Sequence, residues 1–254
     1  MIEVSIQNKP YQDIEGKLWL PKNPVAGIII THSWRNSMNE PMCSDAAQYF
    51  YDLGYSVLQI NLPGHAKNDP LRNLSFKSAT LAIDNAVDYL KKKSGVKKIF
   101  GFGISLGNAA IGFNEHNLFT AEALLSYGLL INPKSLYERY KDQINSQLNE
   151  INTKGYAVMD STSGRGIFEM GTEWINEMKN DSSKYSKIFA NNNTPVLLIQ
   201  GTKDERFNEA RYRAFSEQTG KDYLYVEGAD HNFKNIDHRK EVLIHVKDYF
   251  SRFL

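Results

Sequence analysis

An α/β fold built on one mostly parallel sheet, with helices on both faces, is predicted by three observations. Apolar runs of strand length alternate with segments whose apolar residues recur at helical spacing, the pattern of stacked βαβ units. The run Val25 to Thr31 (VAGIIIT) is apolar almost throughout, as a strand covered on both faces must be. The 254 residues are enough for one large domain with a substantial core and an insertion.

Each element follows in order. Residues 2–7 and 14–20 alternate as two opening strands, punctuated by Gly16 and Pro21, and form an antiparallel edge. After Val25 to Thr31 comes His32-Ser33-Trp34, then a helix capped by Ser44, carrying Ala47, Phe50 and Leu53 inward and ending at Gly54. Tyr55 to Ile60 is a second buried strand, and NLPGHAKN (61–68) a turn. Phe76, Ala79, Ile83, Ala86, Val87 and Leu90 mark a helix closed by Gly95. Ile99, Phe100 and Phe102 form a short strand that leads through a serine turn into a helix over 108–117 and a strand over 121–127. The alternation then breaks. Leu136, Tyr140, Ile144, Leu148 and Ile151 predict one amphipathic helix, 168–178 a second, and SGRG (163–166) a loose joint between them. Residues 128–193 are therefore expected to be an inserted helical cap, with 1–127 and 194–254 as the core. The pattern resumes with a strand over 196–200, a helix over 208–219, a strand over 223–226 and a closing helix over 239–253.

Thirty basic and 29 acidic side chains leave a formal net charge of +1, which argues against nucleic acid or an anionic membrane as partner and for a small neutral or modestly polar ligand. Cys43 is the single cysteine, so no internal disulfide framework exists, and a reducing, cytoplasmic setting is expected. The first residues carry no secretory pattern, and the longest apolar run, Val25 to Ile30, is too short to span a bilayer. A homodimer is left open.

The chemistry centres on Gly103-Ile104-Ser105-Leu106-Gly107, a GxSxG turn between strand and helix that lifts a serine hydroxyl above the sheet. So sharp a turn brings backbone against backbone and can require positive φ, which glycine tolerates. A serine hydroxyl needs a histidine to take its proton and a carboxylate to hold that histidine, expected in the order Ser, Asp or Glu, His. Asp204 lies just past the strand 196–200, and His231 just past the next strand, in GADHNF. In a parallel sheet all three loops emerge at one edge. Glu205 and Asp230 are rival acids; Asp204 is preferred because Asp230 abuts His231 and would point away. Acyl transfer also needs backbone amides for the developing oxyanion, one from Leu106 and one from the loop after Val25 to Thr31.

With these residues in hand, the chain resembles the α/β-hydrolase superfamily along nearly its whole length, and within it the small bacterial feruloyl/cinnamoyl-type esterases. The likeness rests on HSW (32–34), LPGHAKN, GISLG, LLIQGTKDE and VEGADHNF. Ser33 stands where that family has glycine, Asn61 where aspartate is usual, and Leu106 where a polar residue is frequent. The resemblance implies oxyanion donors at the amides of Trp34 and Leu106 and a cap that shapes the acyl pocket. His32, Ser33, Tyr127, Phe168 and Trp174 are expected to line it, with Tyr137, Tyr140 and Met170 nearby. The expected activity is that of a serine carboxylesterase acting on a small ester, without cofactor or metal; thioester, amide and acyl-transfer chemistry use the same residues.

Two other readings are weighed. Gly101 to Gly107 also matches GxGxxxG, a relaxed dinucleotide fingerprint with Glu122 as the ribose acid, although such a motif normally opens its domain. A non-catalytic binder working through the cap is the other. Metal hydrolysis finds no HExxH or comparable spacing, and Glu241 with His245 suits a solvated helix face.

Overall fold

The computed structural model describes residues 1–162, 164–206 and 208–254. Strands β1 (Ile2–Ile6) and β2 (Ile14–Trp19) are followed by β3 (Gly27–Thr31), helix α1 (Pro41–Asp52), β4 (Ser56–Ile60) and α2 (Phe76–Ser94). Then come β5 (Ile99–Ile104), α3 (Leu106–Gly112) and β6 (Ala121–Leu125). The next segment holds α4 (Gly128–Ile131), α5 (Ser135–Asn145), α6 (Leu148–Lys154), β7 (Tyr156–Asp160), β8 (Ile167–Gly171) and α7 (Thr172–Asn176), the last running through a π-helical turn (Glu177–Asp181) into α8 (Ser182–Asn191). The chain closes with β9 (Val196–Gly201), α9 (Glu209–Thr219), β10 (Asp222–Val226) and α10 (Ile236–Ser251).

Eight strands make one sheet in the order β1-β2-β4-β3-β5-β6-β9-β10, with β2 antiparallel to both its neighbours and every other pair parallel. The antiparallel edge expected from residues 2–7 and 14–20 is present. Along β3, Ile28 and Ile30 face one layer, with Phe50 of α1 and Val246 and Phe250 of α10. Ile29 faces the other, with Ala79, Ile83 and Val87 of α2. A strand covered on both faces has no polar side to show, which is why this one reads as an unbroken apolar run.

Several elements differ from expectation for identifiable reasons. Helix α1 starts at Pro41 rather than at Ser44, because proline's fixed φ and missing N–H suit the first helical turn. Leu53 follows the helix and is exposed. The single helix predicted through Leu136 to Ile151 is two: α5 ends at Asn145, and Gln147 turns aside to bond the backbone of Val158 in both directions, through Oε1 (2.9 Å) and Nε2 (2.8 Å). Residues 168–171, predicted as the start of a helix, belong to strand β8, paired with β7. There Met159 lies opposite Phe168 and Ala157 opposite Met170, and all four are buried, so a period of two overrode the helical spacing. Of the SGRG stretch, Gly164 to Gly166 lie between the two strands of this hairpin, with Gly164 and Gly166 left-handed, and Ser163 is outside the described residues. The insertion is therefore mixed rather than purely helical.

Residues 128–193 contribute no strand to the main sheet, and are stapled to the body by the buried carboxylate of Glu177 and the exposed one of Glu173. Glu177 accepts from the amides of Phe76 (2.6 Å) and Lys77 (3.0 Å) at the start of α2 and from the Tyr185 hydroxyl (2.9 Å). Glu173 accepts from Ser75 Oγ (3.0 Å). Where β8 meets the short 3₁₀ turn Leu71–Asn73, a Cβ on Gly171 would stand 2.0 Å from the carbonyl oxygen of Arg72. Gly171→Ala must push backbone from backbone, so it is expected to cost about 3 kcal/mol, read as a lower urea midpoint with the slope unchanged.

Candidate active site

Ser105 sits alone between the end of β5 and the start of α3, at φ 52° and ψ −101°. Backbone in such sparsely populated regions costs about 1–3 kcal/mol and persists only where its surroundings hold it. Here the Ser105 amide donates to Leu125 O (2.8 Å), and the Gly107 amide to His32 O (3.1 Å). The two motif glycines supply room rather than left-handed backbone. A Cβ on Gly103 would lie 2.9 Å from Gly107 carbonyl atoms, and one on Gly107 would lie 2.4 Å from Thr31 Oγ1. The positive φ anticipated for the turn thus falls on the serine itself.

The loops after β9 and β10 meet this serine. His231 Nε2 is 3.2 Å from Ser105 Oγ, and His231 Nδ1 is 2.6 Å from Asp204 Oδ2. With Nδ1–H donating to the carboxylate, Nε2 is left to accept from the hydroxyl. Asp204 also accepts from Gln200 Nε2 (2.7 Å) and from the Arg206 amide (2.9 Å). Burial pushes its carboxyl up, but the bonds from His231, Arg206 and Gln200 outweigh that and hold it below the ordinary carboxylate value. Ser126, at the end of β6, donates to His231 O (2.7 Å) and fixes the loop from behind. The rival acids are engaged elsewhere: Asp230 accepts from the amides of Asn232 and Lys234, and Glu205 faces Arg206 at 3.4 Å.

The loop after β3 is held by a buried carboxylate. Glu40 accepts from the Ser33 amide (2.8 Å) and the Ser33 hydroxyl (2.7 Å), and also from Asn36 Nδ2. Burial pushes its pKa above the usual carboxylate value, and the Ser33 bonds act against that rise. A serine is therefore accommodated at position 33 because its hydroxyl has a buried acceptor. Asn61 likewise uses both ends of its amide, accepting from the Met38 amide (2.9 Å) and donating to Glu15 (3.2 Å). With the Ser33 amide taken by Glu40, the amides of Trp34 and Leu106 donate to no protein acceptor among the described residues.

A cleft of about 170 Å³ opens beside Ser105 and His231, between the strand ends and the insertion. Trp34 lines it, together with Leu129 and Leu136 of the insertion and Tyr212 of α9. The residues expected on its wall lie elsewhere. His32 is buried, its Nδ1 bonded to Ser33 O (2.8 Å) while its Nε2 accepts from the Leu62 amide (3.0 Å). The Ser33 side chain points to Glu40. Tyr127 packs on Tyr212, one layer behind the cleft. Phe168 and Trp174 stack edge-on against Trp34 and back it, as does Tyr140. Aromatics at helical spacing thus pack the insertion onto the body. Arg139, Arg206 and Arg211, which line the cleft, were missed; only the position of Arg206, two residues after Asp204, signals it in the sequence. Glu122, the ribose acid of the dinucleotide reading, is buried in the middle of β6 and pushed up to about 8 by burial, out of reach of a ligand.

His32 gives the site a pH dependence. Burial lowers its pKa from 6.5 to about 3, with the nearby His65 acting in the same direction. The folded imidazole stays neutral while the unfolded one takes up a proton, so its contribution to stability is complete above pH 6.5 and is lost as pH falls toward 3. The slope from this residue is up to about 1.4 kcal/mol per pH unit. Between pH 7.5 and 5 the wild-type urea midpoint is expected to fall, and His32→Gln, though less stable at neutral pH, to show a flatter decline.

No family model matches the chain, and no curated protein sequence does. Solved structures do. The chain is similar to Est1E from Butyrivibrio proteoclasticus, solved with ferulic acid bound, at 20% identity and TM-score 0.76, covering 98% of each chain. It is similar to the esterase domain of a Rhodothermus marinus protein at 18% identity and TM-score 0.71, covering 99% of this chain and 98% of that one. Dienelactone hydrolase from Anabaena variabilis aligns at 16% identity and TM-score 0.68, covering 100% and 97%. With its eight-stranded, mostly parallel sheet and helices on both faces, this chain has the α/β-hydrolase fold.

Proposed function

We propose that the protein is a serine hydrolase acting on small carboxylic esters through an acyl-enzyme. The observation that carries this reading is the hydrogen-bonded row Ser105–His231–Asp204 beside two unengaged amides. Ser105 Oγ attacks the ester carbonyl as His231 Nε2 takes its proton, and Asp204 stabilises the imidazolium that results. The carbonyl oxygen, now an oxyanion, accepts from the amides of Trp34 and Leu106, each worth roughly 3 kcal/mol of barrier. His231 returns the proton to the departing alcohol, and water repeats the sequence on the acyl-enzyme. Residues 128–193 act as the cap that shapes the cleft over a core of 1–127 and 194–254. The similarity in fold to esterases, including one solved with ferulic acid, supports the class of reaction. The same residues would serve thioesters or amides; the esters are favoured by those neighbours.

Treatment with a fluorophosphonate followed by peptide mass mapping is expected to label Ser105, and short p-nitrophenyl esters to turn over. Ser105→Ala should abolish the label and cut kcat by roughly a millionfold. An unlabelled Ser105 in folded protein, with no ester turnover, would overturn the proposal.

A further inference from the structure

Three arginines converge on the cleft that holds Ser105 and His231: Arg139 from α5, Arg206 from the loop after β9, and Arg211 from α9. No aspartate or glutamate lines it. Among the described residues neither Arg139 nor Arg211 has an ion-pair partner, while Arg206 faces Glu205 at 3.4 Å. The hollow on the other flank of Ser105 is different, since Glu205 and Asp230 there offset two of the three charges of Arg165, Arg206 and Lys234. The asymmetry is local, because the whole chain carries a formal charge of only +1. Leu129, Ile131, Leu136 and Tyr212 give the cleft an apolar share of wall, beside Ser126, Asn132 and Ser135, and Arg206 Nη1 comes within 3.5 Å of His231 Nε2.

From this we infer that the ester has a short apolar stretch in the cleft that ends in an anionic group, a carboxylate or a phosphate, held by Arg139 and Arg211. The inference rests on the esterase reading and names its substrate class. Guanidinium groups present a planar fork of donors that matches either anion in two-point contact. Both side chains are exposed, so their attraction for an anion is screened by added salt. The volume of about 170 Å³ is below the roughly 300–1,000 Å³ of sites for drug-sized ligands, so the stretch is a few carbons long.

The test compares the 4-nitrophenyl monoester of adipate with the same ester capped as its methyl ester. Wild-type protein is expected to favour the anionic ester at least tenfold in kcat/KM, with the preference shrinking as NaCl rises. In Arg139→Gln/Arg211→Gln the ratio should fall toward one. These side chains are exposed and bond to no protein group, so folding is not at stake, and the salt titration reads the same property in unaltered protein. Competition by hexanoate against pentyl phosphate tells a carboxylate site from a phosphate site. Turnover of both esters without preference, or a preference that survives the double substitution, overturns the inference and leaves the esterase reading standing. Turnover of neither ester, with Ser105 unlabelled, brings down both.

Discussion

A serine at φ 52° and ψ −101° is the constraint on which this molecule depends. The conformation survives because two side chains are missing on either side of it, so that the carbonyl of Gly107 can press on Gly103, and Gly107 on Thr31. The strand that carries the serine is interior to the sheet, with β3 on one flank and β6 on the other. The bonds that hold the turn come from those flanks, from His32 O and Leu125 O. A strained turn at an edge strand would lack one of these supports. The parallel sheet also delivers the loops after β9 and β10 to the same rim, which puts His231 within hydrogen-bond reach of the serine and Asp204 within reach of His231.

The loop after β3 shows a second use of buried polar groups. A buried carboxylate without donors would cost several kcal/mol, yet Glu40 has donors from Ser33, Asn36 and Cys43. Gln59, from β4, donates to the carbonyls of Met38 and Cys43 (both 3.0 Å), so the inner side of this segment is satisfied from below. What stays unengaged is the Trp34 amide, at the rim. A network that fixes the segment on both sides of Trp34 aims its amide without a helix or strand to hold it.

Much of this could be read from sequence, and the limits have physical causes. Strands buried on both faces read as apolar runs, and residues at strand ends could be assigned to one rim, which is how Ser105, Asp204 and His231 were found. Gly103 and Gly107 announced a close approach, though not that the serine itself would take the left-handed angle. The insertion was misread because Phe168 and Met170 fit a strand as well as a helix, and only their partners Met159 and Ala157 decide between them. Aromatic spacing alone does not tell a pocket wall from packing: Phe168 and Trp174 of the insertion form the layer behind Trp34, and Tyr127, just before it, the layer behind Tyr212. The arginines were invisible for the opposite reason. An exposed arginine on a helix is ordinary in sequence, and only the fold brings Arg139, Arg206 and Arg211 to one cleft.

That division has a consequence for how the protein can change. The serine turn, its histidine and its acid are fixed by main-chain bonds and glycine contacts among the sheet's strand ends. Arg139 rides on α5, in a segment attached to the body through side-chain staples such as Glu177 and Glu173 and through aromatic packing on Trp34. Substitutions on the cleft face of α5 therefore alter what the cleft attracts without touching the contacts that hold Ser105. Substitutions at Glu177 act differently, because the same carboxylate that anchors the insertion satisfies the first amides of α2. The contacts that hold Ser105 and those that hold Arg139 are thus separate in this fold, and Arg206 is the point where they meet: its amide donates to Asp204, and its side chain faces the cleft.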